Sequence, residues 1–289
     1  MVRPQFFSPV LQLMVYMTEP CLYETHMHTP LCKHARGEPE DYAKVAVDRG
    51  LAGIIVTCHN PMPDGYSAPV RMSIEEFAHY QELVARAREA YRDSCDVRLG
   101  LECDFAPAHL DFVERQIESA PLEYVLGSVH PQVPEYREEY FNGDPVEYQR
   151  TYFTHLAEAA ETKLFDCLSH PDLVKNMDAE SWQLERILDH VCRSLDRIAA
   201  SGVAMELNTS GRLKVIPEFN PGPIVLREIV ARGIPIVVGA DAHDPERVSE
   251  GYEDALDSIA AAGAETVSFF LERRRRDIPI ADAKASLRS

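Results

Sequence analysis

Short apolar runs alternate with longer amphipathic stretches along most of the chain. The runs of strand length are residues 22–26, 53–57, 97–102, 124–129, 165–169, 203–207 and 235–239. Stretches of helical periodicity lie near 39–49, 73–92, 109–119, 145–162, 180–201, 222–232 and 245–262. Gly50 and Gly233 follow two of these stretches, where a glycine can take the left-handed conformation that ends a helix. The repeated strand–helix order predicts parallel strands joined by crossover helices and closed into a barrel. Residues 266–271 read as a last strand outside the regular alternation. No linker rich in Pro, Gly or Ser divides the chain, so residues 21–289 are expected to form one domain.

The unusual residues sit where the strands end. His26, His28 and His34 follow the first run, and His59 follows the second. The third ends in Glu102, with Asp104 beyond it. His130 and His170 follow the fourth and fifth. Glu206 and Asn208 close the sixth, and Asp241 and His243 follow the seventh. In a parallel barrel all of these lie on the C-terminal face, where the loops build an active site. Imidazole nitrogens and carboxylates are the donors that zinc, iron and manganese share, and a carboxylate can bridge two ions. In extended chain His26 and His28 point to one side, as do Asp241 and His243. One His-x-His pair means little, but a set repeated over seven strand ends is not explained by packing, because burying such groups unpaired is costly. His79, His155 and His190 fall on helices and read as surface or satisfied core residues.

Composition narrows the function classes. The hydrophobic share is 45% and the charged share 26%, as in an ordinary globular enzyme. The formal charge of −18 repels a phosphate backbone and argues against nucleic acid as the main partner. Bound divalent ions would offset part of it. The run Arg273–Arg276 reads as an exposed turn near the C-terminus. Seven cysteines occur without a CxxC pair, which points away from a disulfide framework and towards a reducing cytoplasm. The apolar stretch 6–17 is too short to span a bilayer and lacks a cleavage signal, so residues 1–20 read as a packing arm or as a start placed too early. No membrane association is expected, and the oligomeric state is left open.

Several segments together resemble the polymerase-and-histidinol-phosphatase (PHP) superfamily. They begin with His26-Met27-His28-Thr29-Pro30-Leu31-Cys32-Lys33-His34-Ala35 and continue through Thr57-Cys58-His59-Asn60-Pro61-Met62-Pro63, Arg71-Met72-Ser73 and Gly100-Leu101-Glu102-Cys103-Asp104-Phe105. Gly127-Ser128-Val129-His130, the stretch 169–175, Glu206-Leu207-Asn208-Thr209-Ser210-Gly211 and Gly239-Ala240-Asp241-Ala242-His243 complete the series. The Arg-Met-Ser, Glu-Cys-Asp-Phe and Asn-Thr-Ser-Gly stretches look most like the histidinol-phosphatase branch. The resemblance implies a distorted seven-stranded (β/α)7 barrel, similar to a TIM barrel, around three divalent ions (Zn, Fe or Mn, alone or mixed). Carried over by position, the first ion takes His26, His28, Glu102 and Asp241. Glu102 bridges to a second held by His130 and His170, and the third takes His34, His59 and His243. A hydroxide between the first two ions would attack the phosphorus of a small phosphate monoester such as histidinol phosphate. Glu102 and Asp241 are the catalytic candidates, with Asp241 placed to steer the nucleophile's proton.

The substrate contacts are less defined. Arg212, Lys214 and Arg71 are candidates for the phosphate-binding cation, Glu206 for a substrate ammonium, and Asn208 for a further contact. Relatives read Leu-Arg-Lys after the Asn-Thr-Ser-Gly stretch, where this chain has Arg212-Leu213-Lys214. Relatives also carry Asp before His59, where this chain has Cys58. Cysteine orients an imidazole less well than a carboxylate, which leaves occupancy and metal choice at the third position open. Cys32 reads as a packing residue. The competing readings are a PHP phosphoesterase acting on nucleotides or nucleic-acid ends, a metal amidohydrolase, and a metal-binding barrel without turnover.

Overall fold

A computed structural model describes residues 19–288. The expectation for residues 1–20 therefore falls, save its last two residues, outside the described part. One nine-stranded sheet runs in sequence order: β1 (Tyr23–Glu24), β2 (Gly53–Val56), β3 (Asp96–Asp104), β4 (Tyr124–Ser128), β5 (Cys167–Leu168), β6 (Ala204–Asn208), β7 (Ile236–Gly239), β8 (Thr266–Leu271) and β9 (Arg274–Pro279). The first eight strands are parallel, and β9 returns antiparallel to β8. Beyond their C-terminal ends the β1 and β7 segments meet in a parallel bridge, Met27 with Ala242.

The expected helices are present as α1 (Pro39–Asp48), α2 (Phe77–Tyr91), α3 (Leu110–Glu118), α5 (Pro145–Thr162), α6 (Leu188–Ser201), α7 (Pro223–Ala231) and α8 (Tyr252–Ala261). Two short ones, α4 (Pro134–Tyr140) and α9 (Ile280–Ser286), were not expected. Asp144 caps α5 by accepting from the amides of Val146 and Glu147.

The expected last strand, residues 266–271, is β8, and the unexpected β9 returns beside it to form a hairpin. Its turn, Glu272-Arg273, has both residues at positive φ. Phe269 stacks on Tyr23 at 4.7 Å and Phe270 on Tyr124 at 5.6 Å. Arg273 pairs with Asp166 and donates to the Leu164 carbonyl. The arginine run is thus a turn only at its first residue, while Arg274–Arg276 form an exposed strand.

Strict alternation divides each strand's side chains between two environments. Ile54, Val56, Val97, Leu99, Leu101, Val125, Met205, Leu207, Ile236 and Val238 join the large core shared with the helices. Tyr23, Ile55, Tyr124, Leu126, Cys167, Ala204 and Val237 form a second core, which Phe270 joins from the hairpin. Continuing that second set towards the C-terminal ends gives Glu102, Ser128, Ser169 and Glu206. The same alternation that makes an apolar floor at one end therefore presents polar groups at the other.

His155 on α5 is a satisfied core histidine, bonded to the Tyr136 hydroxyl at 2.7 Å. Burial lowers its pKa to about 4. The unfolded chain takes up this proton near pH 6.5 and the folded chain does not, so the site's contribution to stability falls as pH drops between those values. Wild type should lose more stability than His155→Gln between about pH 7 and about pH 5, read from urea midpoints. Equal losses would contradict the assignment.

Candidate metal centre

Glu102, buried near the C-terminal end of β3, is the hub of the polar end. Its Oε1 accepts from the Ser128 hydroxyl at 2.6 Å and lies 3.4 Å from His26 Nε2, 3.4 Å from His130 Nε2 and 3.3 Å from His170 Nε2. Its Oε2 lies 3.6 Å from His28 Nε2, and 2.7 Å from His59 Nδ1 without hydrogen-bond geometry. Asp241 Oδ1 lies 3.2 Å from His28 Nε2, 3.6 Å from His26 Nε2 and 3.3 Å from His243 Nδ1. Its Oδ2 accepts from the Ser210 hydroxyl at 3.0 Å. The imidazoles form a continuous cluster: His28 stacks on His243 at 3.9 Å, His243 on His34 at 4.5 Å, and His130 lies 5.1 Å from His170. All nine expected ligands are thus brought to one place.

Fixed partners hold several rings from behind. His26 Nδ1 donates to Glu206 Oε1 at 2.8 Å and His130 Nδ1 to Asp104 Oδ1 at 3.0 Å. His34 Nδ1 donates to the Cys32 carbonyl at 2.7 Å and His243 Nδ1 to the Asp241 carbonyl at 3.1 Å. In each case the other ring nitrogen is left for the cluster, and the partner sets which nitrogen that is. His170 and Asp241 are held at φ 28° and 49°, conformations that cost a non-glycine residue about 1–3 kcal/mol and need support from their surroundings. The His170 amide has that support, donating to Glu206 Oε2 at 2.9 Å.

The donors fit cations better than they fit each other. His26 Nε2, both nitrogens of His28, His59 Nδ1, Glu102 Oε2 and His243 Nε2 are buried without a hydrogen-bond partner. Each such atom costs about 1–3 kcal/mol if left alone. Most donor separations around Glu102 and Asp241 run from 3.2 to 3.6 Å. That range matches the edge of a tetrahedron, about 3.3–3.6 Å, around an ion with bonds of about 2.0–2.2 Å. Among the described residues, every group of three His, Cys, Asp or Glu close enough to share an ion lies in this cluster.

Charge is shared unevenly within the cluster. Burial pushes the Glu102 carboxyl up, but His59, His26 and His130 outweigh it and hold the pKa well below the usual range. Asp241 is likewise raised by burial and then lowered further by His26, His28 and His243. Burial lowers His28, and the neighbouring His243 and His59 add to the effect, which favours the neutral, ligating form. His130 is pulled down by burial, yet Asp104 and Glu102 carry it up to about 10.

The substrate candidates fare differently. Both oxygens of Glu206 are engaged by His26, His170 and Asn208, so it positions a ring instead of receiving an ammonium. Asn208 bonds Glu206 through its Nδ2 and Ser210 through its Oδ1. The buried Arg71 gives Nη2 to Asp104 at 2.7 Å and Nη1 to Asn60, so its guanidinium supports the Asp104–His130 pair. Arg212 pairs with Asp254 and lies over Phe219, and Lys214 is exposed. Ser128 and Ser169 were not singled out from the sequence, and Asp104 was noted beyond Glu102 without a role. Their signal was position, since Asp104 pairs in register with Ser128 two residues before His130.

Gly239 shows how closely the second layer is packed. A methyl group there would strike the Glu206 carboxylate and His26 Cβ. Gly239→Ala should destabilise the protein by about 1–3 kcal/mol and lower activity by displacing His26, read from urea midpoints and turnover. Wild-type values in both would contradict this packing.

Residues 24–210 match the family model described as the PHP domain. The chain belongs to the PHP domain family. Among curated relatives it is 38% identical over 254 residues to a probable histidinol-phosphatase of Deinococcus radiodurans, covering 86% of this chain and 96% of that one. It is 26% identical to the histidinol-phosphatase of Bacillus subtilis, covering 80% and 97%. Among solved structures, histidinol phosphate phosphatase of Lactococcus lactis, complexed with Zn, L-histidinol and phosphate, aligns with a TM-score of 0.73 at 20% identity. That alignment covers 88% of this chain and 98% of the other, so the shared fold extends across most of the described part.

Proposed function

We propose that this chain hydrolyses L-histidinol phosphate to L-histidinol and phosphate, a step of histidine biosynthesis, with the Glu102 cluster as its metal-dependent active site. The observation that carries this is the set of buried, unpartnered donors around Glu102 in a PHP chain whose relatives are histidinol-phosphatases. We assign three divalent cations, of zinc, iron or manganese, within a sheet read as a seven-stranded barrel joined at the Met27–Ala242 bridge, with β8 and β9 added. One would be held by His26, His28, Glu102 and Asp241, a second by Glu102, His130 and His170, and a third by His34, His59 and His243. Such ions supply Lewis acidity and lower the pKa of coordinated water.

The chain's own groups do the rest. Glu102, held ionised, would serve both of the first two positions, its Oε1 facing His26, His130 and His170 and its Oε2 facing His28. Asp241, also held ionised, is suited to steer the nucleophile's proton from Oδ1, which faces His26 and His28. Ser210 fixes the other oxygen and so the carboxylate's plane. Arg212 and Lys214 lie in the same short segment as Ser210 and are assigned to the phosphate, Arg212 after release from Asp254. We place the enzyme in the cytoplasm; among the described residues no helix is long and apolar enough to cross a membrane.

Steady-state kinetics test the substrate. Histidinol phosphate should exceed mononucleotides in kcat/KM, and a hundredfold preference for a nucleotide would overturn the assignment. Lys214→Ala should raise KM with little change in kcat, as expected for loss of a uniform binding contact.

A further inference from the structure

We propose that Cys32 is a sulfur ligand at the outermost cation position, beside His34 and His243. This rests on the three-cation reading above and changes its third ligand set. The Cys32 Sγ, a His34 ring nitrogen and a His243 ring nitrogen all lie within 4.8 Å of one another. The same holds for His28, His59 and His243. His34 and His59, whose rings stack at 5.6 Å, thus belong to two overlapping groups that share His243, and Cys32 belongs to the group of His34.

Local backbone explains the placement. The turn Pro30–Cys32 ends at Lys33, whose φ is 70°, and this brings Cys32 inward while His34 stays at the surface. The His34 ring is then locked by its bond to the Cys32 carbonyl, so sulfur and imidazole are set by the same short segment. His243 Nε2 and both His28 nitrogens are buried without partners in the same pocket.

The second thiol there has other work. Cys58 Sγ accepts from Thr29 Oγ1 at 3.3 Å and from the Thr29 amide at 3.5 Å, and can donate to the Thr29 carbonyl at 3.7 Å. It also falls within 4.8 Å of the Cys32 sulfur and of a His28 ring nitrogen. Cys58, at the place where relatives carry Asp, is thus engaged by Thr29, which leaves Cys32 as the sulfur assigned to the ion. Binding would form one metal–sulfur bond and release the Cys32 thiol proton to solvent. Thiolate ligation favours zinc over manganese or magnesium, so this position should select zinc while the neighbouring nitrogen- and oxygen-only positions remain permissive.

X-ray absorption at the zinc edge of the zinc-loaded protein reads this without turnover. We expect one sulfur scatterer per three zinc ions, at about 2.3 Å. Cys32→Ser should abolish that shell and Cys58→Ser should keep it, and cobalt-loaded wild type should show a sulfur-to-metal charge-transfer band that Cys32→Ser lacks. Three bound zinc ions with nitrogen and oxygen neighbours only would overturn the inference and leave the three-cation reading standing. A sulfur shell that survives Cys32→Ser, or a Cys32–Cys58 disulfide in the purified protein, would also overturn it. Failure to bind three ions at all would remove the reading on which it rests.

Discussion

Glu102→Gln is expected to cut release of phosphate from histidinol phosphate by roughly a thousandfold or more, the loss that follows from several kcal/mol of electrostatic stabilisation. Glutamine keeps the shape of the buried side chain, so the strand and its Ser128 contact should survive. What it removes is the charge that faces His26, His28, His59, His130 and His170 together. Cation content should fall at the same time, because one residue serves two positions. Circular dichroism should stay close to wild type while elemental analysis shows fewer ions per chain. Near-wild-type turnover from Glu102→Gln would remove the bridging role.

Arg71→Met carries the largest expected loss of stability, about 3–5 kcal/mol, because it strands a buried carboxylate. The Asp104 carboxyl is raised by burial and then held well below the usual range by Arg71 first and His130 next. Without the guanidinium, Asp104 Oδ2 loses its 2.7 Å partner, and the carboxylate that orients His130 is left to burial. Arg212→Met is the contrast. Its pair with Asp254 is at the surface, and removing such a pair costs at most about 1 kcal/mol. The two variants therefore separate a structural arginine from a substrate one. Arg71→Met should shift the urea midpoint strongly, and Arg212→Met should act mainly on KM. A stable Arg71→Met protein with a raised KM would reverse the assignment.

The parts of this site that were legible from sequence are those set by local periodicity. Alternation along β3 and β4, with the His-x-His spacing after β1, places the ligands at one end of a parallel sheet without any knowledge of long-range contacts. The parts that were not legible depend on pairing across the fold. Glu206 looks like a free carboxylate at a strand end until β6 is set near β1, 180 residues away in sequence, where His26 claims it. Arg71 looks like a loop cation until the loop folds onto Asp104, 33 residues on. The extra strand β9 was hidden because Arg274, Arg275 and Arg276 are exposed at the edge of the sheet and carry no apolar alternation. Cys32, in the short turn after Pro30, reads as packing in the sequence, and only the fold brings it beside His34 and His243, where it is proposed as a ligand.

The central claim is that a trinuclear cluster around Glu102 hydrolyses histidinol phosphate. Its most direct test is kcat/KM for histidinol phosphate, measured on protein purified with its own metals and analysed for metal content in the same sample. About three divalent ions per chain are expected, with phosphate release that stops on chelation and returns with added metal. A protein that holds those ions and releases no phosphate from histidinol phosphate would contradict it.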